Sequence, residues 1–340
     1  MPEKSLSRAA LLMVVLVLIV IGGWELHLRH LGVGITYDNG KELWADKRAM
    51  VYEPSDKATV FLGSSRIKYD LDIDTWQRLT GRHAIQLASE GSSPLPTLED
   101  LGNDILFKGK VVVDITEILF FSPEGGGSGK TQVEYVDYYK KRTPAQKASF
   151  VLDHALESRF VFLDDEFLSI NAALDNLAIP DRPGMFTPPV FPMDFSETNF
   201  DRQNKMTDRF VADTNLQVRV QHIWLYIMGA MQHMPPPKEN PVPGILARTK
   251  TAIDKIRSRG GDVVFIRTPS SGVMWQAEQH VVPRAKVWDA LLAYTKCQGY
   301  FFTDYPAIDH FVCPEWSHLK PTDAVIYTKT LIGLLPKSFI

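Results

Sequence analysis

Short apolar runs that stop abruptly at glycine or small polar residues place the strongest constraint on this fold. The first run, at 59–62, is followed at once by the sequence Gly-Ser-Ser-Arg. Runs of the same kind occur at 84–87, 110–115, 262–268 and 300–303. Because patterns typical of helices separate them, the runs predict an α/β fold with a three-layer, doubly wound parallel sheet.

The predicted helices flank these strands and surround one long interruption. Around the sheet we predict helices at 41–50, from a cap at Asp74 through Leu79, and at 95–106, 245–259, 284–296 and 321–335. Residues 120–243 contain no convincing buried strand, so we interpret them as a large, mostly helical insertion into an α/β domain formed by 58–119 and 244–340. Its helices are expected at 145–156, 158–177 and 208–231, its glycine-rich loop at 125–129, and its stiff proline-rich segments at 179–200 and 235–243. The sequence does not choose between a lid, a substrate groove, a docking surface and a structural elaboration.

The N-terminus carries a hydrophobic segment of its own. Two basic residues precede an apolar run at 9–24, which is near the lower limit for a membrane-spanning helix. A double glycine followed by Trp24, Glu and Leu is a poor context for signal-peptide cleavage, and Trp24 suits the membrane interface. We therefore predict that 1–31 is a cytoplasmic tip with an uncleaved transmembrane signal anchor, followed by a connector at 32–57. The rest of the chain is then extracytoplasmic (periplasmic); a cleaved signal peptide is the alternative.

Composition and charge narrow the classes of partner. The 340 residues are 45% hydrophobic and 23% charged with a net charge of −3, which is ordinary for a globular protein. Because no sustained basic stripe is present, there is no electrostatic reason to expect nucleic acid as a partner. The histidines show no metal-ligand spacing and there are two cysteines, so we predict no metal and no cofactor. In an oxidising compartment Cys297 and Cys313 are expected to pair in a disulfide just upstream of His318, with two buried free thiols as the alternative.

Polar residues gather at the carboxyl ends of the predicted strands, where open α/β sheets bind their ligands. These ends carry Ser64 and Ser65, Gly91, 114–117 and Arg267, and a C-terminal loop adds Glu315 and His318. A serine becomes a nucleophile when an imidazole takes its proton, and a carboxylate fixes the tautomer of that imidazole. Since Glu315 and His318 lie three residues apart, this set predicts a serine, a base and an orienting acid.

The chain order, with the serine early and the acid and base together near the end, resembles the SGNH/GDSL hydrolase superfamily. The resemblance covers 58–118 and 244–335 and implies an SGNH/flavodoxin-like sheet. In that superfamily the third residue of a Gly-Asp-Ser block is the nucleophile, which implies Ser65 rather than Ser64. The Gly-Ser-Ser form is similar to that of membrane-anchored envelope O-acylation proteins such as the DltD family.

The remaining blocks of the superfamily imply roles for further residues. Glu315 and His318 take the place of its Asp-x-x-His block. The second-block glycine, an oxyanion-hole donor, corresponds to Gly91, which acts beside the backbone N–H of Ser65. The Gly-x-Asn-Asp of the third block is absent, and we assign Thr116 in place of its asparagine.

By this resemblance we expect an extracytoplasmic serine O-acyltransferase that acts on O-acyl groups, acetyl being the expected one, of a cell-envelope polysaccharide. A membrane-bound O-acyltransferase (MBOAT) is then the expected acyl-donor partner. The alternatives are a carbohydrate O-acyl esterase with the same mechanism and a non-catalytic accessory subunit that binds polysaccharide or a membrane acyltransferase.

Three more side chains are expected to bind substrate at the rim of this site. Arg66 and Arg267 have the guanidinium geometry that holds a carboxylate or phosphate of a polymer. Trp316, inside the last block, is expected to stack on a sugar face, with a place in the core as the alternative. The alternative for both arginines is a structural salt bridge with Asp70, Asp72 or Asp114.

Overall fold

The computed structural model describes residues 3–123, 127–175, 189–233 and 237–340, and the chain has an α/β fold. Five parallel strands form one sheet, and two short antiparallel strands form another. The strands are β1 Ala58–Leu62, β2 His83–Gln86, β3 Lys110–Asp114, β4 Ser196–Thr198, β5 Asn204–Met206, β6 Asp262–Arg267 and β7 Gly299–Phe301. The predicted parallel sheet is confirmed, with strand ends close to those expected.

Helices fill the intervals between the strands. Before the predicted insertion they are α1 Glu3–His30, α2 Lys41–Ala49, α3 Ser65–Asp70, α4 Ile73–Thr80, α5 Leu95–Asn103 and α6 Glu117–Phe120. Within it they are α7 Gly127–Lys141, α8 Pro144–Glu157, α9 Ile170–Asp175, α10 Asp208–Ala212 and α11 Thr214–Gln232. After it come α12 Val242–Arg257, α13 Gly272–Val281, α14 Arg284–Thr295 and α15 Pro321–Leu334.

The five strands lie in the order β2-β1-β3-β6-β7. The chain passes from β1 to β2 on one side and then to β3 on the other side of β1, so the topological switch point lies between β1 and β3. Val60 of β1 aligns with Ile85 of β2 on one side and with Val111 of β3 on the other. Because parallel crossover connections are right-handed, this switch requires helices on both faces of the sheet. The crevice at the carboxyl ends of β1 and β3 is where open sheets of this order bind ligands.

The central strands are hydrophobic along their length because both faces are covered. Every residue of β1 is buried, and so are Val111, Val112 and Val113 of β3. Such continuous apolar runs are typical of internal parallel strands. On one side, the Trp76 ring of α4 meets Phe61 edge-on with centroids 4.9 Å apart.

The chain divides into two compact units whose limits differ from the predicted domains. One unit is Met1–Asp38 with Pro144–Thr187, and the other is Asn39–Thr143 with Pro188–Ile340. The predicted connector and insertion are therefore each split. The physical reason for the first split is burial: Trp44 on α2 is fully buried and donates its indole N–H to the Leu87 carbonyl at 2.9 Å.

Within the described part of the chain, one helix is long and apolar enough to cross a membrane, over Leu6–His30 of α1. Its last turns contact the other segment of the same unit. Trp24 donates its indole N–H to the Leu168 carbonyl at 3.1 Å, and the Glu25 carboxylate accepts the Val161 N–H at 3.2 Å.

Three predicted helices have the wrong bounds, because side-chain oxygens that accept backbone N–H groups begin or interrupt the helix at other residues. The cap of α4 is Asp72, whose carboxylate accepts the N–H three residues later at 2.8 Å, and not Asp74. The helix expected at 158–177 is interrupted because the Asp164 carboxylate accepts the N–H three residues later at 2.6 Å. Asp213 caps α11 by accepting the N–H two residues later at 2.8 Å, which splits the helix expected at 208–231.

The sequence analysis missed the strand pair β4–β5 and the helix α13. The predicted glycine-rich loop at 125–129 lies partly outside the described residues, and α7 begins within it at Gly127. The proline-rich segments predicted at 179–200 and 235–243 also lie partly outside them.

Candidate active site

Ser65 lies where β1 gives way to α3, at the carboxyl edge of the sheet. Ser64 caps α3, so Ser65 is the first helical residue and its backbone N–H has no acceptor within the helix. A Cβ on Gly63 would lie 2.7 Å from Ile67 Cγ2 and 2.9 Å from Asp114 Cβ, so this position requires glycine. The close approach packs the turn against β3 and leaves Ser65 partly exposed.

A continuous hydrogen-bonded chain joins Ser65, His318 and Glu315. Ser65 Oγ lies 2.8 Å from His318 Nε2, and His318 Nδ1 lies 2.9 Å from Glu315 Oε1. Glu315 Oε1 also accepts the backbone N–H of His318 at 2.6 Å. When Nδ1 donates to this carboxylate, Nε2 is the acceptor that the serine proton needs. The structure thus brings together the three residues predicted to be catalytic.

Helix α3 holds the loop that carries His318 through side chains that follow Ser65. Arg66 Nε donates to Ser317 Oγ at 3.4 Å, and Asp70 Oδ1 accepts the Leu319 N–H at 2.9 Å. Between them, the Tyr69 ring stacks on the His318 imidazole with centroids 4.3 Å apart. One short helix therefore carries Ser65 and fixes the loop that carries His318.

The described part of the predicted insertion also contacts Glu315 and His318. Trp224 of α11 donates its indole N–H to Glu315 Oε2 at 2.5 Å. Phe195 lies 6.0 Å from the His318 ring, centroid to centroid, and its ring packs on Tyr69. The sequence analysis missed Tyr69, Phe195 and Trp224. The signal available for Tyr69 was its place four residues after Ser65, one helical turn along α3.

The loop between Glu315 and His318 makes a sharp turn at Trp316. Trp316 has φ 77°, and its half-buried indole lies against Gly272, where a Cβ would come within 2.7 Å of Trp316 Cδ1. Its carbonyl accepts the Ser271 N–H at 2.8 Å. These contacts tie the loop to the start of α13, and stacking of Trp316 on a sugar stays a prediction.

Arg66 and Arg267 belong to a buried ionic cluster, so the prediction that they bind substrate at the rim is wrong. They are 2% and 0% exposed, and both guanidinium groups bind Glu278. Arg267 also pairs with Glu117 at 3.0 Å. Burial alone would raise the pKa of Glu278, but the two arginines lower it to about 2. The alternative of a structural salt bridge is correct, but the partners are Glu278 and Glu117 and not the predicted aspartates.

Two of those aspartates lie buried beside the serine turn. Burial raises the pKa of Asp114 to about 6, although Arg267 and two hydrogen bonds from Thr268 oppose the shift. Burial also raises the pKa of Asp70 well above its usual value. Both carboxyls therefore keep their protons to a higher pH than ordinary aspartates.

The predicted oxyanion donors occupy different surroundings. Thr116 Oγ1 lies 2.6 Å from Ser64 Oγ, which joins the ends of β3 and β1. Gly91 lies in an exposed turn beyond β2, and the residue of that loop in contact with the serine turn is Ser89, whose N–H binds the glycine carbonyl of the turn at 3.4 Å. Of the predicted donors, the backbone N–H of Ser65 is the one located at the nucleophile itself.

Cys297 and Cys313 are both free and buried, so the predicted disulfide is wrong and the alternative of two thiols is correct. Cys313 Sγ faces the carbonyl of Pro269 at 3.9 Å, whereas Cys297 follows α14 beside Thr295. Burial raises the pKa of both thiols, which makes them unreactive.

A scan of the chain against protein-family models found no matching family, and a search of curated proteins found no match. The geometry of the site therefore carries the functional argument. A partly exposed hydroxyl, a buried imidazole and a buried carboxylate in hydrogen-bonding sequence are the parts needed for acyl transfer through a serine ester.

Proposed function

We propose that this protein is a membrane-anchored serine O-acyltransferase of the SGNH type, with Ser65 as nucleophile, His318 as general base and Glu315 as the carboxylate that orients His318. The observation that carries the proposal is the unbroken hydrogen-bonded sequence from Ser65 Oγ through both imidazole nitrogens to Glu315.

The chemistry follows from these contacts. Ser65 Oγ attacks the carbonyl carbon of an ester while His318 Nε2 takes the serine proton. The oxygen of the tetrahedral intermediate becomes negative, and the backbone N–H of Ser65 is the nearest donor for it. The intermediate collapses as the C–O bond to the alcohol breaks and that alcohol takes the proton from Nε2. A second hydroxyl then repeats the steps in reverse and releases Ser65.

The identity of the donor and acceptor rests on the resemblance to SGNH proteins of envelope O-acylation. The strand order with a switch point at Ser65 supports that fold, and the length and hydropathy of α1 support an anchor. The basic residues before the apolar run favour a cytoplasmic N-terminus, with the rest of the chain outside the cytoplasmic membrane. We therefore propose an envelope polysaccharide as acceptor and an MBOAT protein as acyl donor. A carbohydrate O-acyl esterase differs in a single step, in which water replaces the sugar hydroxyl.

The test of the catalytic proposal uses the full chain in detergent and a serine-directed phosphonate. We expect stoichiometric labelling at Ser65, turnover of a small acetyl ester, and loss of both in Ser65→Ala. Ser64→Ala is the matched control, because it removes the adjacent hydroxyl and keeps the nucleophile, and it is expected to be labelled. Absence of labelling and turnover in a folded parent protein contradicts the proposal and favours a non-catalytic accessory subunit.

A second measurement separates transfer from hydrolysis. With an acetyl ester as donor and an oligosaccharide as acceptor, a transferase forms the acetylated sugar at the expense of free acetate. If added sugar leaves the yield of acetate unchanged, the protein is an esterase.

A further inference from the structure

Helix α8 carries an apolar face that is exposed. Ala148, Leu152, Ala155 and Leu156 recur at the spacing that places side chains on one side of a helix, and Val151 lies at its edge. Leu152, Val151 and Leu156 are 66%, 64% and 48% exposed, and no residue of this 14-residue helix is buried. A helix on a globular protein ordinarily turns such a face toward the core.

The more polar side of the same helix is the side that contacts protein. Phe150, His154 and Glu157 lie one turn apart and are each partly covered. The His154 ring lies 5.6 Å from the ring of Tyr37, and the Glu157 side chain hydrogen-bonds that of Asp38. These contacts fix the rotation of α8, so its apolar face is directed outward by the fold.

The chain immediately after α8 binds the end of the apolar helix α1. Arg29 Nη2 donates to the Arg159 carbonyl at 2.7 Å, and the Glu25 carboxylate accepts the N–H groups of Val161 and Phe162 at 3.2 and 3.1 Å. Leu156 precedes Arg159 by three residues, which can span at most about 11 Å. The apolar face of α8 therefore begins close to the residues where α1 ends.

We propose that α8 lies in the interface of the same bilayer that α1 crosses, on the side where α1 ends, with Val151, Leu152 and Leu156 inserted among the lipids. This proposal rests on the membrane span in the proposed function. The occupant is a lipid surface because the exposed apolar face continues from the lipid-facing helix through the contacts at Arg29 and Glu25. Helices that lie in a bilayer interface pair such an apolar face with a polar one.

The experiment measures the surroundings of single probes on the full chain in phosphatidylcholine–phosphatidylglycerol vesicles. A fluorophore is attached to Leu152→Cys, to Lys147→Cys on another exposed side of the helix, or to Leu16→Cys in the middle of α1. Each probe is quenched by lipids with a nitroxide on the acyl chain or by aqueous iodide. The parent protein, whose two cysteines are buried, gives the background labelling.

We expect lipid nitroxides to quench Leu152→Cys at least about threefold more than Lys147→Cys, and iodide to show the reverse order. Equal iodide access at the two positions overturns the proposal. Shielding of Leu152→Cys from iodide without lipid quenching also overturns it, because the face is then covered by protein. If Leu16→Cys is quenched by lipid and Leu152→Cys is not, the α8 proposal alone fails; if neither is, the membrane span fails too.

Discussion

The hydrogen bond from Trp224 to Glu315 gives the sharpest test of how the catalytic acid is held. Trp224→Phe keeps an aromatic ring beside Phe191, whose ring lies 5.2 Å from that of Trp224, and removes the indole N–H. Glu315 Oε1 keeps both of its bonds to His318, whereas Oε2 loses its donor while the side chain stays buried. Leaving a buried carboxylate oxygen without a hydrogen-bond donor costs free energy. The carboxylate of Glu315 can then rotate, which weakens its hold on His318.

The size of the effect follows from the type of bond. A hydrogen bond to a charged group contributes about 1.5–3 kcal/mol. At about 1.4 kcal/mol for each factor of ten, its loss from the transition state lowers kcat/KM about 10- to 150-fold. Because Trp224 binds Glu315, the proposed orienting carboxylate, we expect kcat to fall and KM to change little.

The assay compares acetyl-ester turnover and the rate of phosphonate labelling at Ser65 in Trp224→Phe and in a matched variant, Trp288→Phe. The indole nitrogen of Trp288 is buried and has no hydrogen-bond partner among the described residues, so this variant reports the change in ring size alone. Thermal melting of both variants checks that they are folded. If the two variants retain activity within about twofold of each other, Trp224 has no positioning role and the reasoning is refuted.

Three further outcomes test the surroundings of the site. Gly63→Ala forces a Cβ against Ile67 and is expected to cost about 1–3 kcal/mol in the free energy of unfolding, measured by chemical denaturation, and to slow labelling of the serine. Glu278→Gln leaves two buried arginines short of one negative charge, and about 3–5 kcal/mol of stability is expected to be lost in the same measurement. Asp70 has a raised pKa when folded, so folding takes up a proton and the free energy of unfolding falls as pH rises above about 4. Asp70→Asn keeps an acceptor for its backbone partner and is expected to flatten that pH dependence in melts from pH 4 to 8, whereas an unchanged slope contradicts the assignment.

The parts of the fold that could be predicted from sequence are those set by local pattern. Each sheet strand is an apolar run bounded by turn residues, and burial on both faces makes that run hard to mistake, as at 110–114. The proximity of Ser65, His318 and Glu315 could be predicted because a serine at the end of a strand and an acid and base three residues apart in a loop match the pattern of a catalytic triad.

What could not be predicted depends on contacts between distant segments. Nothing in the local sequence of Arg267 shows whether its guanidinium turns outward or inward to Glu278. Likewise, Trp224 lies in a helix whose sequence carries no catalytic pattern, and its contact with Glu315 joins residues 91 positions apart. The free thiols of Cys297 and Cys313 could not be predicted either, because separation along the chain does not set the distance between two sulfur atoms.

In the Glu-x-x-His loop, both carboxylate oxygens of Glu315 accept hydrogen bonds, which restrict the longer side chain. A glutamate has one more rotatable bond than an aspartate, so its carboxylate loses more freedom when it is held in a single place. Here Oε1 binds His318 twice, and Oε2 binds Trp224. Helix α3 then fixes the imidazole from the opposite side through Tyr69. The tryptophan comes from the predicted insertion and the tyrosine from the helix that begins at Ser65, so the described part of the insertion contributes a direct contact to the proposed catalytic site.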